Sequence, residues 1–587
     1  MADSVDSHRV TFIVLRFMRR PILVLVSVYA ISMVGWVLIP GVNVDGKPEP
    51  LSFFHAFYFL TYTATTTGFG EIPYAFSDAQ RMWSIVSLYA GVVAWLYAVG
   101  SIIHLLRNPH FRRATEERRF AKSVSRIREP FVIICGFGNT GSLLARGLSD
   151  SGITAVILDS DDDRIKALHL RDYRVTMRGL CADARVPVRL TDAGLLRPNC
   201  VAVVALTPDE EVNLKISVTA RLLNPRVEVI TQSTSETYEE TLATLGGDVH
   251  IVDPFQTFAT YLRATMENPA VYVLNRWLVS APGADLDEMP ILPRGKWILC
   301  GYGRMGRRIR EALEASGIAT ATIDPNVTGP TEDDASIIVE RANQKALTKA
   351  GVAEAAGIVA GTDNDAYNLS ILLNARAMNP EIFLVVRQNR HRNEALFNAA
   401  GADLIMQPNM VSARRILFSL IAPLLKPFFE RVRESRVDSE DGFLESLFRE
   451  LRGAVGSDVR PRIWTVDVSD ETTSALADAI RDAGPVSLAD ILKDPSDRGR
   501  RLPCVALVAK SGDEVRVMPE LSQSLELGDQ ILFCGRNGTD HLLDATLNNE
   551  YTLRYLMTGV DEVRGIFMRW MARRFGGEAG VRPVAQG

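Results

Sequence analysis

No CxxC pair links any of the six cysteines, Cys135, Cys181, Cys200, Cys300, Cys504 and Cys534, spread over 587 residues. Four of them stand in or beside apolar, strand-like runs, which argues for reduced, buried thiols rather than a disulfide framework or a zinc site. The eight histidines form no HExxH pair or other compact ligand spacing, so no catalytic metal is assigned. Charge of neither sign dominates: a formal net charge of −5 points neither to a nucleic-acid partner nor to an acidic tail. No small-residue cleavage site follows the first apolar run, which weakens its reading as a signal peptide. No arginine-studded spans precede that run, so nothing resembles a voltage sensor.

Long apolar runs are confined to the first hundred residues. Residues 22–39 carry no charge between Pro21 and Pro40, and residues 82–106 form a second such run with His104 near one end. Both approach or exceed the roughly 20 residues that a membrane-spanning helix needs. Residues 51–62 are apolar and aromatic but too short to span, as a re-entrant helix would be. After them comes TATTTGFGE at 63–71. Irregular polar backbone at membrane depth is tolerated only where protein buries it or water lines it. Gly68 and Gly70 provide backbone angles that a Cβ disfavours. Arg9, Arg16, Arg19 and Arg20 precede the first span, and Arg107, Arg112, Arg113, Arg118, Arg119 and Lys122 follow the second. Between the spans stand only Lys47 and Arg81, so the positive-inside rule puts both ends in the cytoplasm.

Beyond a charged connector at 107–129 the chain repeats itself. FVIICGFGNTG from residue 131 is echoed by WILCGYGRMG from residue 297. Each copy reads as a strand, a GxGxxG loop and a helix-like run (142–149 and 307–316), then a strand ending in an acid, Asp159 or Asp324. TPDEEVN with Asn213 matches TDNDAYN with Asn368, and Asn224-Pro225 matches Asn379-Pro380. Alternating strands and helices predict two doubly wound α/β domains with parallel sheets. In a dinucleotide site the first glycine (Gly136, Gly301) turns the chain. The second (Gly138, Gly303) admits the phosphates, and the third (Gly141, Gly306) packs helix on strand. Asn139, Thr140, Arg304, Met305 and Arg307 open the following helices, whose N-termini attract phosphate. An acid at Asp159 and Asp324 suits a ribose diol and repels a 2′-phosphate, which predicts NAD or an adenine nucleotide rather than NADP. An empty cleft kept only for its fold is the alternative. Residues 412–448 read as helical, 462–536 as a small α+β lobe, and the tail from 537 as one helical stretch with a disordered end.

Taken together, a two-span pore with a filter-like loop and two Rossmann-like domains resemble the potassium channels that carry RCK domains (regulators of K⁺ conductance). The filter pattern of that family is T-A-T-T-V-G-Y-G-D, and the LxxGDxILFCG run near 525–535 is similar to its small C-terminal lobe. The resemblance implies a two-span helical pore domain (1–106), the connector, Rossmann-like domains at 130–290 and 291–448, a lobe at 449–536 and a helical tail. It implies that Thr66, Thr67, Gly68 and Phe69 present carbonyls to K⁺, with Gly70 closing the run, because oxygens must replace the ion's hydration shell. Thr67, Phe69 and Glu71 depart from the usual Val, Tyr and Asp. Phe69 lacks a hydroxyl that often tethers the filter to its helix. Gly91, midway along the second span, reads as a gating hinge or as close helix packing. GLCAD at 179–183 is similar to the family's G-D-A-type run, which implies a nucleotide-binding role for Asp183, and ERAN at 340–343 departs from it. The acidic runs 161–163 and 332–334 could hold Ca²⁺ or be solvated loops. The implied protein is a homotetrameric, ligand-gated channel of the inner cell membrane, not an enzyme. A membrane-anchored NAD-dependent oxidoreductase and a regulatory subunit of a separate transporter remain the alternatives.

Overall fold

The computed structural model describes residues 2–42, 48–65, 67–71, 75–233, 235–244, 249–278, 285–287, 292–327, 336–435, 442–482 and 484–560. Thr66, the acidic run 332–334 and the tail beyond 560 therefore lie outside the described residues. The chain forms two compact units, Met1–Glu129 with Arg178–Arg197, and Pro130–Met177 with Pro198–Gly587.

In the first unit, helix α1 (Ala2–Leu38) runs straight through Pro21, where the sequence suggested a start. One proline removes one ladder bond, and a long apolar helix absorbs that loss. Helix α2 (Phe53–Ala64) is short and capped by Ser52, whose Oγ accepts from His55 N at 3.3 Å. Helix α3 (Asp78–Arg107) begins earlier than hydropathy indicated because Ser77 and Gln80 form a capping box. Residues 16–38 and 78–107 are long and apolar enough to cross a membrane, and most of each apolar stretch is unburied. Apolar surface around most of a helix needs lipid or other subunits to cover it. The spans lock together at one end, where Trp83 Nε1 donates to Ser32 O at 3.0 Å and Gln80 Nε2 to Ile39 O at 3.3 Å.

Helix α4 (Pro109–Val124) fills most of the connector and packs on a strand, Arg178–Cys181, and a helix, Pro187–Asp192, of the same unit. Arg189 Nη2 meets Glu117 Oε1 at 2.7 Å. Arg197 donates to Ser125 O at 2.9 Å and Ile127 O at 2.7 Å, capping carbonyls just beyond α4.

The second unit holds the duplicated region. The first copy contains β1 (Phe131–Cys135), α5 (Asn139–Asp150), β2 (Thr154–Asp159), β3 (Cys200–Ala205), α6 (Glu210–Leu223), β4 (Glu228–Gln232) and β5 (Val249–Val252). These strands run parallel in the order β2-β1-β3-β4-β5. Helices α7 (Pro254–Glu267) and α8 (Pro269–Leu278) lead to the second copy. That copy has β6 (Trp297–Cys300), α9 (Arg304–Ala315), β7 (Thr320–Ile323), β8 (Ile337–Ile338), β9 (Gly357–Ala360), α10 (Asp365–Met378), β10 (Phe383–Arg387) and β11 (Leu404–Met406). Its parallel order is β8-β7-β6-β9-β10-β11. Strand order reverses beside β1 and β6, the switch point where ligands of such sheets bind. Helices α5 and α9 start directly after the second glycine, three residues before the helix-like runs, because Gly138 and Gly303 serve as N-caps.

The copies exchange helices. Phe255, Phe258 and Leu262 of α7 share a core with Met305, Ile309 and Leu313 of α9. In return α11 (Pro408–Ile421) sets Ala413 and Ile416 against Leu144 and Leu148 of α5.

Among the described residues the run 412–448 falls in three helices, α11, α12 (Leu425–Glu434) and α13 (Phe443–Ala454). Pro423 follows the end of the first. The lobe is an antiparallel sheet in the order β12 (Arg462–Asp467), β15 (Gln530–Gly535), β13 (Cys504–Ser511), β14 (Glu514–Val517). The tail begins as two helices, Thr539–Leu547 and Glu550–Thr558, separated because Asn549 caps the second. All six cysteines stand in strands, and every one except Cys181 is buried. Burial pushes the Cys200 and Cys504 thiols up to about 12, which makes them poor nucleophiles.

Candidate functional site

Helix α2 ends at the glycine-bearing loop, so its C-terminal carbonyls give that end a partial negative charge that favours a cation. The loop folds back onto the helix: Thr67 N donates to Tyr62 O at 2.8 Å, and Thr65 Oγ1 to Thr61 O at 2.8 Å. Gly68 and Gly70 sit at φ +68° and +89°, while Thr67 and Phe69 between and beside them do not share that handedness. Alternating handedness turns neighbouring carbonyls toward one side instead of opposite sides. The Gly70 carbonyl is engaged by the Tyr62 hydroxyl, which leaves Thr67, Gly68 and Phe69 as the described members of the row. The Phe69 ring packs edge-on to Tyr62 at 5.3 Å. Sequence reasoning noted the hydroxyl missing from Phe69 but not the one that Tyr62 supplies. It also missed Arg81, whose Nε lies 3.0 Å from Glu71 Oε1, while Glu71 Oε2 accepts from Phe76 N at 2.8 Å. Gly91 is buried, and a Cβ there would meet Ala64 Cβ at 3.9 Å, an ordinary contact. Both its readings stay open.

The two glycine loops share one geometry. Gly136 and Gly301 turn at φ +103° and +106°. A Cβ on Gly141 would stand 2.1 Å from Gly136 O, and one on Gly306 would stand 1.9 Å from Gly301 O. Around Gly303 a Cβ meets nothing within 4 Å, and at Gly138 only the Arg164 guanidinium at 4.0 Å. The second glycines therefore face open space, as a phosphate approach requires. Asp159 Oδ2 accepts from Phe137 N at 2.5 Å, and Asp324 Oδ2 from Tyr302 N at 2.6 Å. Each acid thus braces its own loop, with lone pairs remaining for a ligand. Arg164 Nη1 also reaches Asp159 Oδ2 at 3.3 Å, a cation the sequence reading overlooked.

A model of the ion channel family matches residues 23–108, and the TrkA-N domain model matches residues 132–253 and again 297–408. Potassium channel protein 1 of Methanocaldococcus jannaschii is 24% identical over 286 residues, covering 49% of this chain and 83% of that protein. The chain belongs with the two-span potassium channels that carry TrkA-N (RCK) domains. Probable potassium channel protein 2 of the same organism is 24% identical over 208 residues, covering 35% of this channel and 59% of that one. A solved structure described as the GsuK channel bound to NAD aligns with 92% of this channel and 99% of its own chain, at 16% identity and a TM-score of 0.46.

Within this channel the remaining candidates fall in separate places. Thr140 Oγ1 donates to Asn409 Oδ1 of α11 at 3.0 Å, and Asn139 opens α5. Met305 is a core side chain, so only its backbone N–H can face the cleft. Arg307 is exposed on α9. Asp183 belongs to the first unit and pairs with Arg185 at 2.8 Å. The run 161–163 opens a helix: Asp161 caps it, and Asp162 and Asp163 pair with Lys166 at 2.7 and 3.2 Å. Among the described residues no group of three or more metal-ligating side chains converges.

Proposed function

We propose that four copies of this chain assemble around the loop at 65–70 to form a potassium-selective channel of the cell membrane, with both termini cytoplasmic and no catalytic step of its own. The alternation of positive φ at Gly68 and Gly70, at the negative end of α2 and between two apolar spans, carries this reading. Stacked rings of carbonyls from four subunits replace the water that K⁺ sheds on entry. Four chains bring eight Rossmann-like copies, enough for a closed ring beneath the pore. NAD or an adenine nucleotide in the glycine-loop clefts shifts that ring between two arrangements by its preference for one of them. Each site contributes about 1–3 kcal/mol of coupling, so several together reach the ~5.5 kcal/mol that carries a gate from 1:99 to 99:1. Within each first unit the grip of Arg197 and Arg189 on α4 and its end ties the connector to the segment Arg178–Arg197, so movement is not left to a slack tether.

The direct test is ⁸⁶Rb⁺ uptake by liposomes containing only this purified chain, with NAD, ADP and ATP varied. Uptake blocked by Ba²⁺ and altered by nucleotide is expected. Cofactor turnover without uptake would instead favour an anchored oxidoreductase.

External acid provides a second test. The Arg81 guanidinium, then the Phe76 N–H, hold the Glu71 carboxyl below its ordinary value. A lowered folded-state value means the pairing is intact through the ordinary carboxylate range and is lost only as pH falls below that range, through the lowered value. Single-channel openings should shorten as the outer bath is acidified from pH 6 to pH 3.5. Glu71→Gln should flatten that dependence, and an identical acid response in both proteins would refute the role.

A further inference from the structure

The two clefts differ most at the end away from the acid. Superposing landmarks sets the correspondence: Asn213 Nδ2 donates to Gln232 O, and Asn368 Nδ2 to Arg387 O. Gln232 in the first copy thus matches Arg387 in the second. Asn139 likewise matches Arg304 after the second glycine. Phe255, next to the proline that opens α7, matches Asn409, next to the proline that opens α11.

In the second copy these replacements converge. The Arg304 and Arg387 guanidinium carbons lie 5.6 and 5.0 Å from the centroid of the Phe255 ring, which the helix exchange brings in from the first copy. Arg304 Nη1 lies 3.3 Å from Glu210 Oε1, whose other oxygen accepts from Ser233 Oγ at 3.0 Å. Arg387 Nε is buried without a hydrogen-bond partner. The nearby acid Asp365 spends its oxygens on Asn389, Arg390 N and Asn393. Burial of Arg387 opposes its charge, with Asp363 supporting it and Arg304 opposing it. A buried donor that lacks a partner is costly, and an anion repays it.

Sheet order gives the direction. A nucleotide whose ribose meets Asp324 at the end of β7 crosses the glycine loop after β6 and extends past β9 toward Arg387 at the end of β10. In the first copy the same path ends at the uncharged Gln232, Asn139 and Asn409, and the added cation, Arg164, sits on the acid side.

We propose that the second cleft selects adenine nucleotides with a terminal polyphosphate: Arg304 and Arg387, aligned on Phe255, close on the last phosphate as Glu210 is displaced. The first cleft lacks that anion end and takes ligands such as NAD. This rests on the clefts being nucleotide sites.

Calorimetric titration of the full-length purified channel in EDTA with ATP, ADP, AMP and NAD tests it. Arg387→Gln should weaken ATP binding about tenfold or more, the usual loss for a charge-assisted bond, and leave AMP and NAD within twofold. Glu210→Gln, which removes the negative charge that competes for Arg304, should tighten ATP binding severalfold. Equal losses for ATP and AMP in Arg387→Gln, or unchanged ATP affinity in Glu210→Gln, would overturn the proposal while leaving the clefts as nucleotide sites. Failure of all four nucleotides to bind the wild-type channel would remove that underlying reading as well.

Discussion

Gly68→Ala is expected to cut ⁸⁶Rb⁺ uptake by a hundredfold or more, while the protein should still assemble and migrate as the wild type does. Gly68 stands at φ +68°, and nothing lies within 4 Å of where its Cβ would be. The penalty is therefore torsional rather than a clash, about 1–2 kcal/mol in each subunit. The backbone escapes that penalty most cheaply by rotating the adjoining peptides. Rotation takes the 67 or 68 carbonyl out of the row that the alternating handedness creates. In the proposed tetramer one misdirected carbonyl per subunit removes an entire ring, because four copies fail together. Dehydration of K⁺ is then uncompensated at that level, and the barrier rises for every ion that passes. Assembly survives because the contacts that join the helices, Trp36 with Phe59 and Phe76 among them, lie away from Gly68. Purified Gly68→Ala protein that carries Rb⁺ at the wild-type rate would remove this loop from the permeation path.

Much of the architecture could be read from residues alone because its signals are local or repeated. Apolar runs of spanning length, strands ending in acids and twice-written glycine loops each declare themselves within about thirty residues. Contacts between distant segments did not. Phe255 reads as one more apolar residue until the helix exchange carries it onto the second copy. Arg387 reads as a strand-end cation until sheet order aims it along the same cleft as Arg304. The pore loop shows the same limit at short range. Phe69 and Glu71 read only as departures from the usual filter residues, since a family pattern records identities and not partners. Tyr62, eight residues before Gly70, restores a hydroxyl tether through the Gly70 carbonyl, and Arg81, ten residues after Glu71, gives that acid a cation that the pattern does not predict. Pro21 misled for a different reason: proline ends helices in water more readily than in an apolar helix already stabilised by its surroundings.

The second and third glycines of the second loop should separate by experiment, although sequence gives them equal weight. Gly306→Ala places a Cβ 1.9 Å from Gly301 O, a rigid backbone atom. The loop or α9 must move, and forced overpacking of this kind costs about 1–3 kcal/mol. The apparent unfolding temperature of the channel should fall, and nucleotide should no longer raise it. Gly303→Ala meets open space at φ −72°, an angle alanine adopts freely. Its unfolding temperature without ligand should match the wild type within a degree or two. On the proposed reading the added methyl stands where a nucleotide phosphate approaches the backbone, so the stabilisation that ligand confers should shrink. For wild type at a hundred times Kd that stabilisation is about 2.7 kcal/mol, and a tenfold weaker site loses about half of it. A thermal-shift series over ATP concentration reads both effects at once. If Gly303→Ala kept the full wild-type shift, the ligand would be bound elsewhere, and the open side of this loop would have to be explained by folding alone.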